Sequence, residues 1–169
     1  MASPLHLATI NNHIDAVILL LDNGANIESR YTNGPFQHQF TPLHYATEHG
    51  HTNIARLLIN SGADIEGKDG DGCTSLSVAT YYNQTDMVRL LIEYGANIDP
   101  PHITYRSSPI RYAMVHNNVN AVRLLLDNGL DVNTYYRGNV TILREAIYSY
   151  RYEIEALLRS RGADPSIGE

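Results

Sequence analysis

The sequence predicts an all-α repeat solenoid in which five helix-pair units stack into a single domain over residues 1–169. Three observations predict it. Five segments open alike, at Ser3, Thr41, Thr74, Ser108 and Thr141, spaced 38, 33, 34 and 33 residues apart. A glycine stands 21 residues after each opening: Gly24, Gly62, Gly95, Gly129 and Gly162. Between the two lies a leucine pair, Leu19-Leu20, Leu57-Leu58, Leu90-Leu91, Leu124-Leu125 and Leu157-Leu158. A repeat of this period marks units that cannot bury their apolar faces alone and do so against their neighbours. The units fall at approximately 1–32, 33–69, 70–103, 104–136 and 137–169.

Each element of a unit follows from its residues. The opening Ser or Thr, followed by proline in Ser3-Pro4, Thr41-Pro42 and Ser108-Pro109, is a helix start. The hydroxyl caps free N–H groups, and proline sits where no N–H is needed. Five residues later comes an alanine (Ala8, Ala46, Ala79, Ala113, Ala146), small enough for two helices to lie close. The first helix must stop four residues on, at Asn12, Gly50, Asn83 and Asn117, residue types that tolerate a left-handed turn. A second helix carries the leucine pair and ends at the glycine, as a C-terminal cap requires. The stretches Gly24 to Ile27, Gly62 to Ile65 and Gly95 to Ile98 then turn into an extended arm. Helices shorter than about a dozen residues are marginal alone in water, so stacking must hold them.

The run Thr41-Pro42-Leu43-His44-Tyr45-Ala46, with Gly50-His51, Leu57-Leu58 and Gly62-Ala63-Asp64 after it, closely resembles the ankyrin repeat. That family has a period of about 33 and a T-P-L-H-x-A signature, and the resemblance covers nearly the whole chain. It implies antiparallel helix pairs joined by β-hairpin-like fingers, with a concave face made of fingers and first helices. It also implies that His44 and His51 are structural, bonding the backbone and linking adjacent units.

The chain departs from the family at several points. The first unit begins at Ser3 with almost no finger, and stays apolar at Leu7, Ile10, Ile14 and Ile18. Two readings fit this pattern: a chain cut from a longer array, or a native short cap, since terminal repeats are atypical by nature. In the fifth unit Glu145, Glu155 and Arg159 replace apolar or small residues, giving the polar outer face of a last repeat. The first finger carries an insertion within Tyr31 to Phe40, with a turn signal at Asn33-Gly34-Pro35. The fourth finger, Asp99-Pro100-Pro101-His102, lacks two backbone donors and is not expected to pair as a regular hairpin.

Composition narrows the function. The net charge is -6, Lys68 is the only lysine, and no basic run exists to neutralise phosphates, so nucleic acid is not expected as a partner. A single cysteine, Cys73, rules out an intramolecular disulfide, and no apolar run approaches the roughly 18 residues of a membrane span. The expectation is a soluble, monomeric, cytoplasmic protein without membrane insertion, the nucleus being the other compartment the composition permits. His44, His49 and His51 fit no zinc spacing. Asp69-Gly70-Asp71-Gly72 resembles the start of a calcium loop but lacks the closing glutamate, and reads as a finger tip. Cys73 beside it reads as an unreactive thiol. No nucleophile elbow, phosphate loop or metalloprotease helix occurs, so the reading is no enzyme, no metal and no cofactor.

What remains is aromatic: 12 Tyr and 2 Phe. Residues four, seven and eight places after each opening share one side of the first helix. They are Leu7/Ile10/Asn11, Tyr45/Glu48/His49, Val78/Tyr81/Tyr82, Tyr112/Val115/His116 and Glu145/Tyr148/Ser149. In the ankyrin family the last two of each set, with finger-tip residues, commonly line the concave surface. The tips here add Tyr31, Phe36, Phe40, Tyr105, Tyr135, Tyr136 and Arg137. Tyr45 and Tyr112 are read as packing between units. Aromatics and Arg dominate interface hot spots. The candidate partner-binding residues are therefore Phe36, Phe40, Glu48, His49, Asp71, Tyr81, Tyr82, Tyr105, His116, Arg137 and Tyr148. The function expected is a non-catalytic interaction module, an adaptor or scaffold whose concave face binds a protein. The acidic Glu48 and Asp71 suggest a partner segment with some positive charge. The alternative is a structural fragment of a larger ankyrin-containing scaffold or effector.

Overall fold

Capped short helices, each too short to persist alone, account for the whole architecture of the computed structural model, which describes residues 2–31, 38–99 and 107–167. The first helices are α1 (Pro4–Ile10), α3 (Pro42–Glu48), α5 (Ser75–Tyr81), α7 (Pro109–Val115) and α9 (Ile142–Tyr148). The second helices are α2 (Ile14–Asp22), α4 (Thr52–Asn60), α6 (Thr85–Glu93), α8 (Val119–Asp127) and α10 (Tyr152–Ser160). The hydroxyls of Ser3, Thr41, Thr74 and Thr141 accept from the N–H three residues on, whereas Ser108 makes no such bond. Each cap of this kind contributes about 1 kcal/mol.

The turn inside each pair is left-handed, with φ of 57, 69, 57 and 51° at Asn12, Gly50, Asn83 and Asn117. In the fifth unit Tyr150 takes that place at φ 54°. A tyrosine there is strained, because its Cβ crowds the following carbonyl.

Each first helix packs on its own second helix, and the second helices form a continuous layer from α2 to α10. The first helices pack in sequence from α1 to α7. Between the layers lie the fully buried Leu58, Leu91, Leu125 and Leu158, with Ala46, Ala79, Ala113 and Ala146 opposite. In the first unit Leu20 is only half-buried and Leu19 is 64% exposed. Leu7 and Ile18 are exposed too, and Ile10 and Ile14 are half-buried.

Polar side chains stitch the units together. His6 Nδ1 lies 2.7 Å from the Ser3 hydroxyl, and its Nε2 donates to the Phe40 carbonyl at 3.3 Å. His44 repeats this with Thr41 at 2.8 Å and the Cys73 carbonyl at 3.2 Å. In the third unit the Ser77 hydroxyl donates to the Ser107 carbonyl. Burial holds the His44 imidazole down to about 4, so it is neutral and its ring keeps one donor and one acceptor. A second seam runs backward: His51 donates to the Ile10 carbonyl at 3.1 Å, Gln84 to Glu48 at 3.2 Å and Arg151 to Val115 at 3.4 Å.

The fingers are less regular than expected. Among the described residues only β1 (Tyr135–Arg137) and β2 (Val140–Thr141) form a two-stranded hairpin. The first two fingers close through single bridges, Tyr31 with Phe40 and Lys68 with Thr74. The reason is visible at the second tip, where one Asp69 oxygen accepts from the Asp71 and Cys73 N–H groups at 2.8 Å each. A side chain thus satisfies donors that a longer ladder would use. The turn at Asn33-Gly34-Pro35 and the proline pair of the fourth finger lie outside the described residues.

One expectation about polarity is corrected. Glu145 is buried, not part of an outer polar face: Ser149 donates to it at 2.7 Å, and the Arg151 and Arg137 guanidiniums lie 3.6 and 3.9 Å away. Cys73, beside a finger tip, is also buried, and its thiol is pushed up to about 11 by that burial.

Candidate functional site

The periodicity that buries one side of each first helix leaves its end facing solvent. Position four, one turn nearer the cap, is buried in three of the five sets, as Tyr45, Val78 and Glu145, half-buried as Tyr112 and exposed as Leu7. Positions seven and eight emerge: Tyr81 is 43% exposed, Tyr82 39% and Tyr148 66%. His49, Val115 and His116 are exposed as well, and Glu48 is half-buried.

In the middle of the array these side chains meet. The Tyr81 ring packs edge-on against Tyr82 at 4.9 Å, Tyr112 at 5.2 Å and His116 at 4.7 Å between centroids. Each edge-to-face pair of this kind contributes about 0.5–1.5 kcal/mol beyond its buried area. These contacts favour the arrangement in which the four rings meet. Tyr112 is half-buried, its hydroxyl 3.5 Å from Cys73 Sγ. Burial, then the neighbouring Cys73, raises the Tyr112 phenol above its usual range; burial and the Glu48 carboxylate do the same to Tyr82. Both phenols are neutral at physiological pH.

Beside these rings a cavity of about 120 Å³ opens between the first and second fingers and the α5 end. Phe40, Cys73 and Val78 make it apolar, Tyr81, Tyr82 and Tyr112 wall it, and Asp69, Asp71 and His38 edge it. The Asp71 carboxylate is hydrogen-bonded by His38, and the His38 carbonyl accepts from the Gly70 N–H, so the two finger tips are tied together. His38, Asp69 and Asp71 bring one ligand atom each within 4.8 Å of one another. Burial raises the Asp69 carboxyl, against its two backbone donors. The three histidines considered for metal are otherwise engaged: His44 and His51 bond the backbone as described, and His49 Nδ1 lies 3.1 Å from the Tyr45 carbonyl.

The expected residues therefore divide. Phe40, Asp71, Tyr81 and Tyr82 line one cavity, with Glu48 and His116 joined to it through Tyr82 and Tyr81. His49 stands beside Glu48, at 3.8 Å. Arg137 and Tyr148 belong to the last unit and do not line this cavity. Phe36 and Tyr105 lie outside the described residues. Phe40 is not the exposed tip residue expected: it is 5% exposed, because its ring stacks on His44 and meets Tyr45 edge-on. Tyr136 is likewise buried, with Arg111 over its ring. His38, Asp69, Val78 and Tyr112 were not among the candidate site residues. The signals for them in the sequence were weak: Asp69 stands in a finger tip, His38 in the first finger, and Val78 and Tyr112 one turn before the exposed positions of their own first helices.

A family model described as ankyrin repeats in three copies matches residues 5–102. Among solved structures, the human ASB11 ankyrin repeat domain is similar at a TM-score of 0.80 and 26% identity, over 96% of this chain and 71% of that one. No curated protein matches.

Proposed function

Because the chain belongs to the ankyrin-repeat family, whose members are generally protein–protein interaction modules, we propose that it is a non-catalytic adaptor or scaffold binding a protein on its finger and first-helix face. The observation that carries this reading is the Tyr81, Tyr82, Tyr112 and His116 cluster, packed edge-to-face yet partly open to solvent at the middle of the array. Tyrosine offers wide contact area with few rotors to freeze, so an ordered, exposed tyrosine pair suits an anchor. Glu48, Asp71 and the overall charge of -6 favour a partner segment with some positive charge. His49, Arg137 and Tyr148 extend the same face toward the two ends. No helix among the described residues is long and apolar enough to cross a membrane, and the reading places the protein in the cytoplasm as a monomer.

The test is capture of binding proteins by the wild type and by Tyr81→Ala/Tyr82→Ala, followed by titration of what is captured. The double change should cost at least about 2 kcal/mol of binding, the usual hot-spot threshold, with the circular dichroism spectrum retained. Equal affinities would move the surface elsewhere. Exposed Leu7, Ile18 and Leu19 favour a second reading, in which the first unit packs on further repeats of a larger scaffold. Binding lost in Leu19→Gln but kept in the tyrosine variant would favour it.

A further inference from the structure

The cavity beside the tyrosine cluster combines two features that a general protein-binding face does not require. Its walls are the rings of Tyr81, Tyr82 and Tyr112, and its edge carries two carboxylates, Asp69 and Asp71. Neither carboxylate pairs with a lysine or arginine among the described residues. Asp71 is exposed and, among the described residues, its carboxylate takes the His38 hydrogen bond; Asp69 is buried and holds two backbone donors. The apolar floor of Val78 and the neutral Cys73 thiol contributes no charge of its own.

The chemistry selects among occupants. At about 120 Å³ the space falls below the roughly 300–1,000 Å³ of small-molecule pockets, and suits one side chain. An acidic group would meet Asp71 and Asp69. An apolar side chain would strip water from Asp71 and return no hydrogen bond, which is costly for a charged group. A cation is attracted both by the carboxylates and by the faces of the tyrosine rings. Between the two basic side chains, the planar guanidinium stacks on aromatic rings and forks onto a carboxylate, whereas an ammonium is a strongly hydrated point charge. A cation beside Asp69 would also relieve the cost of keeping that buried carboxylate charged.

We infer that this cavity receives a single arginine side chain of the partner, its guanidinium on Asp71 and its plane and stem against Tyr81 and Tyr82. The inference rests on the protein-binding reading of this face and names the group that anchors the partner.

The probe is N-acetyl-arginine N-methylamide, titrated into the whole chain at millimolar concentration while backbone amide resonances are followed by NMR. Saturable shifts are expected at Cys73, Val78, Tyr81 and Tyr82. The citrulline counterpart, of the same shape but uncharged, should bind at least about fivefold more weakly, as should the lysine counterpart. Asp71→Asn, which keeps the shape of the side chain, should weaken the arginine probe by a similar factor. Should that change disturb the finger tips, Tyr81→Leu carries the test instead, since it keeps apolar bulk and removes the ring. Equal binding of arginine and citrulline, equal binding of lysine, or shifts mapping outside the cavity would each overturn the assignment. Absence of any arginine effect, with partner capture still lost in Tyr81→Ala/Tyr82→Ala, would sink the arginine anchor and leave the protein-binding face standing.

Discussion

Leu91 is the second leucine of the central pair, on α6, which packs against α4 on one side and α8 on the other. It has no exposed surface. Leu91→Ala removes three carbons from that site. At about 0.8 kcal/mol per buried methylene the transfer loss is roughly 2.4 kcal/mol, before any cavity is counted. Units held on both sides have little freedom to collapse into the gap, so the total should lie in the upper part of the roughly 2–5 kcal/mol measured for buried leucines. Nearest-neighbour coupling should spread the loss to the second and fourth units. Urea denaturation followed by circular dichroism measures it, with Leu19→Ala as the comparison. Leu19 is the same residue type on the first unit's second helix but is 64% exposed, and its loss should cost under about 1 kcal/mol. A midpoint unchanged in Leu91→Ala, or equal losses at the two sites, would refute the helix register and the stacking that depends on it.

Two further predictions concern pH and backbone strain. His44 sits at about 4 in the folded chain against an ordinary 6.5. The unfolded chain therefore binds a proton the folded one refuses, and stability present above about pH 6.5 is lost as pH falls toward 4, by up to roughly 3 kcal/mol. His6 is lowered in the same direction. Thermal melts at pH 7 and 4.5 should show a smaller acid loss in His44→Gln than in the wild type; an equal loss would assign the acid sensitivity elsewhere. Tyr150 is the one intra-unit turn residue that is neither Asn nor Gly, and its side chain is 74% exposed. Tyr150→Asn should therefore stabilise the fold by up to about 1 kcal/mol, and a lowered melting temperature would show that its ring contact with Tyr152 matters more.

The fold was legible because its determinants are local and repeated. The opening hydroxyl, the alanine, the left-handed turn residue and the terminal glycine each act within one unit, and five copies reinforce the reading. The same logic explains why Tyr81, Tyr82 and Tyr148 were found on the surface. Phe40 was misread because its burial depends on His44 and Tyr45, residues of the next helix that periodicity cannot weigh against an insertion. Glu145 was misread for a related reason: a charge looks like surface until Ser149, Arg151 and Arg137 are seen to surround it. His38 was invisible because its value lies in reaching Asp71 across two fingers, a contact set by the insertion and not by the repeat.

Hydrogen–deuterium exchange on the protein with and without the captured partner tests the central claim most directly. The account predicts slowed exchange on partner binding at the ends of α3, α5 and α7, centred on residues 78–82 and 112–116, with the second helices α4, α6 and α8 unchanged. Protection confined to the second helices, with Tyr81 and Tyr82 exchanging as in the free protein, would contradict it.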